Sequence, residues 1–99
     1  MSFDRTVREE ARLIMLKALA AEVNNRLNSE LLRLSLESFG ISRTRDWVHA
    51  ELGFLVDIGA VNLEDRGTVK VAALTQRGMD HVMRLVALDG VKRPSIAEA

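Results

Sequence analysis

NNRLNSELLRLSLESFGISRTRDWVHAELGFLVDIGAVNLEDRGTVKVAAL, residues 24–74, decides the fold. Its apolar residues keep helical spacing as far as Gly59 and alternate beyond it. Asn24, Asn25 and Arg26 read as a polar connection. Asn28 is placed as the N-cap of a helix over 29–39, with Leu27 and Leu32 set to pack as a hydrophobic staple. Gly40 is placed to end that helix in a left-handed conformation. Ser42 is the expected N-cap of the next helix, in which Val48, Leu52 and Leu55 share one face and Trp47, Phe54 and Ile58 flank it. Gly59 stops it. Only a tight turn fits between Phe39 and Arg43, which is helix-turn-helix spacing. Residues 60–64 and 68–73 then read as two short strands around the turn Glu64-Asp65-Arg66-Gly67. Val61 and Leu63 face inward on the first, and Val69, Val71 and Ala73 on the second.

Outward from this stretch, residues 4–23 predict a first helix, with Val7, Ala11, Ile14, Ala18 and Leu19 at helical spacing and no Gly or Pro. Thr75 is the expected cap of a last helix over about 76–89, ended by Gly90. Gly78 inside it costs about 1 kcal/mol relative to Ala, which points to a close packing contact. The order is helix-helix-helix-strand-strand-helix. This is a mainly α fold with a small β-hairpin, a winged helix-turn-helix. Residues 1–90 are expected as one domain and 91–99, with the only proline at 94, as a flexible tail.

The 99-residue length fits one small core. Hydrophobic residues make up 47%, and only four residues are aromatic, so aliphatic side chains must fill that core. The absence of cysteine removes disulfides and thiolate metal sites. Residues 1–10 are too charged for a secretory signal, and no run approaches the ~18 apolar residues of a membrane span. A soluble protein of the cytoplasm is expected, with no membrane contact. The formal net charge of zero argues against strong non-specific DNA affinity, which needs an excess of Lys and Arg.

Arg43, Thr44 and Arg45 fall at the predicted start of the third helix, the end that enters the major groove in this motif. Arginine there opposes the helix macrodipole, so a sequence serving stability alone would place acids. The alternatives are solvation or pairing with Asp46. His49 lies on the same arc as a candidate base or phosphate contact, or an ordinary surface residue. Gly53 on this side permits a close approach or marks a tight helix contact. From Ile41 to Gly59 two arginines face three acids, Asp46, Glu51 and Asp57, for a net charge of −1, so Glu51 and Asp57 must be kept away from phosphate. Arg66 and Lys70 are candidate backbone contacts on the wing, opposed by Glu64 and Asp65. Lys92 and Arg93 form either a basic arm or a spacer. Trp47 fits the apolar stripe as core, with base stacking as the alternative. No metal-binding, phosphate-cradling or catalytic motif is present, and neither an enzyme nor a cofactor is expected.

The run VHAELGFLVDIGA, residues 48–60, resembles the third helix of small bacterial winged-helix regulators, and the junction ALTQRG, residues 73–78, resembles the one after the wing in arsenic-repressor-like and multiple-antibiotic-resistance-like regulators. The whole chain is more similar to a group of short proteins of Mu-like phages and prophages, through its opening MSFDRTVREEARL and its closing GVKRP. The resemblance implies a winged helix in a phage context within a bacterial host. Metal sensing through thiolates does not carry over, because the cysteines are missing. The expected function is a DNA-binding transcriptional regulator acting on double-stranded DNA, dimeric through its first and last helices. The alternative is a protein-interaction adaptor in phage assembly or DNA packaging, with another phage protein as partner.

Overall fold

The computed structural model describes residues 3–96. Four helices enclose a three-stranded antiparallel sheet: α1 Phe3–Ala20, β1 Arg26–Asn28, α2 Ser29–Ser38, α3 Arg45–Asp57, β2 Val61–Arg66, β3 Val69–Leu74 and α4 Gln76–Val82. The strand order is β1-β3-β2. The core lies between α1 and the α2–α3 pair and is closed by the sheet. Leu16, Leu19, Leu32, Leu36, Leu52 and Leu55 are fully buried in it. No helix among the described residues is long and apolar enough to cross a membrane.

Local chemistry explains the element ends. The Asn28 side chain accepts from the Leu31 N–H at 2.9 Å, so α2 starts as its sequence predicts. The third helix starts two residues later than predicted. Ser42 is not its cap; Thr44 is, with Oγ1 accepting from the Trp47 N–H at 3.1 Å. Residues 41–44 are irregular, and Ile41 is tied back to the Leu36 carbonyl at 2.9 Å. Arg43 therefore precedes the helix and Arg45 is its first residue.

The sheet departs from the sequence reading in three ways. Arg26–Asn28 is a strand rather than a connection, paired to β3 with Leu27 opposite Ala72. Three residues are too few to show a period. The hairpin turn sits at Gly67 and Thr68, so Glu64, Asp65 and Arg66 belong to β2. The inward face of β3 is also the opposite of the one expected. Val61 pairs with Leu74 and Leu63 with Ala72, which puts Ala72 and Leu74 on the core side and Val69, Val71 and Ala73 on the outer face. A shift of one residue exchanges the two faces of a strand, and VKVAAL is apolar at every position but Lys70, so its pattern does not distinguish them.

The last helix is shorter than predicted. It is capped by Thr75 as expected, but it ends at Val82, and Arg84 adopts φ +65°. Buried His81 holds the chain that follows. Its Nδ1 accepts from the Leu88 N–H at 3.0 Å, which leaves Nε2 as the donor to the Lys92 carbonyl at 2.9 Å. Val91 and Pro94 are buried, Lys92 N–H donates to the Glu9 carbonyl at 3.2 Å, and Arg84 reaches the Pro94 carbonyl. Residues 91–94 are thus docked on α1 instead of forming a loose tail. Residues 97–99 of the expected tail lie outside the described residues.

Gly78 is where α4 meets the start of the wing. A Cβ there would overlap the Ala60 carbonyl and come within 2.7 Å of Leu74 Cδ1. At Gly53, on the outer side of α3, a Cβ would meet nothing within 4 Å. The tight-contact reading of Gly53 fails within this chain. The two helical glycines should therefore respond oppositely to alanine in urea unfolding. Gly78→Ala is expected to destabilise by about 2 kcal/mol or more through overpacking. Gly53→Ala is expected to stabilise by up to about 1 kcal/mol through helix propensity.

Candidate nucleic-acid interface

The exposed side of α3 begins at Arg45, which makes no ion pair among the described residues, although its charge helps, after Arg33, to hold the Glu30 carboxyl of α2 low. Arg43, in the connection before it, also has no acidic partner there. Its guanidinium lies 5.4 Å from the Trp47 ring centroid, and Nη1 donates to the Ser42 carbonyl at 3.0 Å. Arg8 approaches the same ring at 5.9 Å. Trp47 is half-buried against the core edge, between two arginines. The Thr44 hydroxyl accepts from Trp47 as the cap and keeps its proton to donate. Asp46 in the first turn offsets the unfavourable meeting of Arg45 with the helix dipole.

Glu51, which any phosphate-facing stripe had to keep away, is turned wholly inward. It is 1% exposed, its Oε2 accepts from Arg8 Nη1 at 2.9 Å, and its Oε1 accepts from Arg12 Nε at 2.7 Å. Arg12 also donates to the Gly90 carbonyl at 2.7 Å and lies 3.7 Å from the Phe54 ring centroid. The outer side of α3 is left with Arg45, Asp46 and Asp57, and with small Ala50 and Gly53 between them. A ligand facing α3 meets less negative charge than the residue count implies.

His49 is only partly available. Its Nε2 lies 2.8 Å from the Oγ of Ser29, and that Oγ accepts from the Lys70 N–H at 3.0 Å. Ser29 is fully buried. The contact joins the first residue of α2, the middle of α3 and the start of β3. No carboxylate is hydrogen-bonded to the ring among the described residues, so the pair lacks the third member of a hydrolytic triad. Burial first, and then the positive charge of Lys70, hold the His49 imidazole below its ordinary value of 6.5.

The wing cations meet acids. Arg66 Nη2 is 3.0 Å from Glu64, which Arg26 also approaches at 3.3 Å. Lys70 Nζ is 2.6 Å from Asp65 Oδ1, and this contact lowers the Asp65 carboxyl. Arg43, Thr44 and Arg45 are therefore brought together at one corner. His49 is tied to the wing through Ser29, and Arg66 and Lys70 stand in a field of alternating sign. The sequence reading missed the Arg8 and Arg12 clamp. Its members lie 43 and 39 residues from Glu51, and no local spacing links them.

Helix-turn-helix, hairpin and closing helix together define a winged-helix protein. No family model matches the chain. The uncharacterized protein gp26 of Escherichia phage Mu is 33% identical over 86 residues, covering 87% of this chain and 88% of that protein. The chain belongs to the same phage protein family as Mu gp26. Among solved structures, RosR of H. salinarum superposes with a TM-score of 0.65 at 22% identity, over 75% of this chain and 66% of RosR. F93 from STIV, described as a winged-helix DNA-binding protein, superposes with a TM-score of 0.59 at 27% identity, over 74% of this chain and 79% of F93.

Two measurements test this geometry. Glu51→Ala leaves Arg12 nearly buried without its carboxylate and is expected to cost about 3 kcal/mol in urea unfolding. The folded state resists protonating His49, whereas the unfolded state takes up the proton at the ordinary value. Stability should therefore hold above pH 6.5 and decline as the pH falls below it. His49→Gln should flatten that part of the pH profile. An unchanged slope in the variant would show that His49 is not its source.

Proposed function

We propose that this protein is a phage-encoded DNA-binding transcriptional regulator, working on double-stranded DNA in the cytoplasm of the bacterial host. The observation that carries the reading is the pair of exposed arginines, Arg43 and Arg45, neither in an ion pair among the described residues, at the N-terminal end of α3 in a winged-helix frame. That end of the second helix of the motif is the one aimed at base edges. Arginine suits guanine O6 and N7 bidentately, and it also clamps phosphate. The description of F93 as a DNA-binding protein agrees with it. Thr44, through its hydroxyl proton, is a phosphate donor in this reading. Lys70, Arg66 and His49 play secondary parts, because each already has a partner within the chain.

The regulator is proposed to act as a homodimer through its first and last helices. Met83, Leu85 and Val86, exposed just beyond α4, provide apolar surface for that contact. A two-fold pair would present two α3 helices to half-sites about one DNA turn apart.

Fluorescence anisotropy with fragments of phage DNA tests the proposal. Binding should weaken steeply with added salt. Arg43→Ala and Arg45→Ala should each lower affinity about tenfold or more, the range of a lost base contact. Arg66→Ala, already paired with Glu64, should cost less than either. No binding to any fragment at low salt would overturn the reading.

The alternating charges of the wing favour a second reading, an adaptor in phage assembly or DNA packaging that binds another phage protein. Co-purification with a phage protein that survives nuclease treatment distinguishes it from the first.

A further inference from the structure

Ser29 stands where β1 becomes α2, and its side chain is fully buried. β1 pairs Asn28 with Val71, so the next pair along would be Ser29 and Lys70. There the Ser29 Oγ takes the Lys70 N–H at 3.0 Å, in place of a strand carbonyl. A backbone N–H only donates, so Oγ accepts in this contact. The hydroxyl proton needs an acceptor of its own, in a place closed to water. Among the described residues His49 Nε2, at 2.8 Å, is the one hydrogen-bond partner left for it. A nitrogen that accepts carries no proton, so the neutral ring holds its proton on Nδ1. His81 is fixed the opposite way, with Nδ1 accepting from the Leu88 N–H and Nε2 donating to the Lys92 carbonyl. The two histidines of the chain are thus set in different tautomers by their surroundings.

The arrangement at Ser29 fails once the ring of His49 takes up a proton. Nε2 then becomes a donor, and it faces an oxygen that already accepts from Lys70. If that oxygen accepts a second time, the Ser29 proton is left buried with no acceptor among the described residues. Burial opposes the charged ring most, and a ring that turns out to solvent escapes it. The charges of Lys70 on β3 and Arg45 on α3 oppose it as well, while Asp46 on α3 and Asp65 on β2 favour it. Asp65 is already paired with Lys70 at 2.6 Å, and Glu30, next to Ser29 on α2, is held by Arg33 at 2.7 Å.

We propose that Ser29 and His49 form a proton-operated latch between α3 and the wing. With the imidazole neutral, the hydroxyl joins the middle of α3 to the start of β3. When His49 takes a proton from solvent, the ring leaves Ser29, water takes its place at the hydroxyl, and the Lys70 amide loses its protection. The closed form disfavours the charged ring and the open form does not. The latch is therefore shut above the ordinary histidine value of 6.5 and opens as the pH falls below it. The inference does not depend on DNA binding.

The test uses the full chain with isotope-labelled imidazole nitrogens. Long-range proton–nitrogen NMR spectra above neutral pH should show His49 protonated on Nδ1 and His81 on Nε2. His49→Gln, which lacks one ring and whose amide oxygen still accepts from Ser29, assigns the two. Amide hydrogen exchange is then measured relative to an unstructured chain at each pH. Lys70 protection should fall by up to about tenfold per pH unit below 6.5, the slope that one proton gives. Lys70 should also exchange well ahead of Leu16 in the core of α1, and with little dependence on dilute urea, because a local opening exposes little surface. In His49→Gln the Lys70 amide should lose this pH dependence. A His49 ring protonated on Nε2, constant Lys70 protection in the parent, or the same pH course in the variant overturns the proposal. So does Lys70 exchange that matches Leu16 in rate and urea dependence, which would assign it to global unfolding. Should His49→Gln not fold, the tautomer and the comparison of Lys70 with Leu16 are read in the parent chain and decide by themselves.

Discussion

A carboxylate with almost no contact with water has to be answered by the protein around it, and at Glu51 the answer organises the molecule. Two guanidinium groups from α1 supply the hydrogen bonds that water would have made. Desolvating such a group costs several kcal/mol, and a charged pair repays it only in good geometry. What the arrangement gains is orientation. The burial of Val48, Leu52 and Leu55 is a non-directional gain, whereas the bonds of Glu51 to Arg8 and Arg12 hold only in one rotation of α3 about its axis. Arg12 extends the constraint further. One side chain holds Glu51, lies over Phe54 and takes the carbonyl of Gly90. The third helix, the first helix and the returning C-terminal chain are thus tied together by a single guanidinium.

The same burial separates the surface of the protein from its composition. A neutral chain with an acidic third helix reads as a poor partner for a polyanion. Folding removes Glu51 from the surface of α3 and pairs the wing cations locally, leaving positive charge at the corner of Arg43 and Arg45, with the Trp47 ring beside Arg43. Charges further than about 8 Å from that corner are largely screened at physiological salt.

Most of the fold was legible because its signals are local. Asn28 and Thr75 announce two helices by their capping chemistry, and the change of period at Gly59 announces the hairpin. The errors arose where the deciding contact is remote. Ser42 and Thr44 are equally good caps by residue type, and the irregular segment 41–44, tied back to α2 at Ile41, puts the second at the start of α3. β1 is a strand because β3 lies beside it, not because of anything in Arg26-Leu27-Asn28. The face of β3 is set by its pairing to β2. The helix predicted to reach Gly90 stops at Val82 because buried His81 offers its ring to Leu88 and Lys92, a preference no propensity scale contains. The candidate site was legible in the same measure. The arginine corner follows from helix-turn-helix spacing, while the fate of Glu51 and of His49 depends on partners 20 to 43 residues away.

The Ser29 hydroxyl has a consequence for the proposed DNA-binding role. Through one buried oxygen α3 and the root of the wing are fastened to each other, at His49 on one side and Lys70 on the other. In that role, a duplex touching both elements would meet a spacing that this contact helps to set, and would have to bend or narrow to suit it. Discrimination would then rest on how easily a sequence deforms, at base pairs the protein never touches.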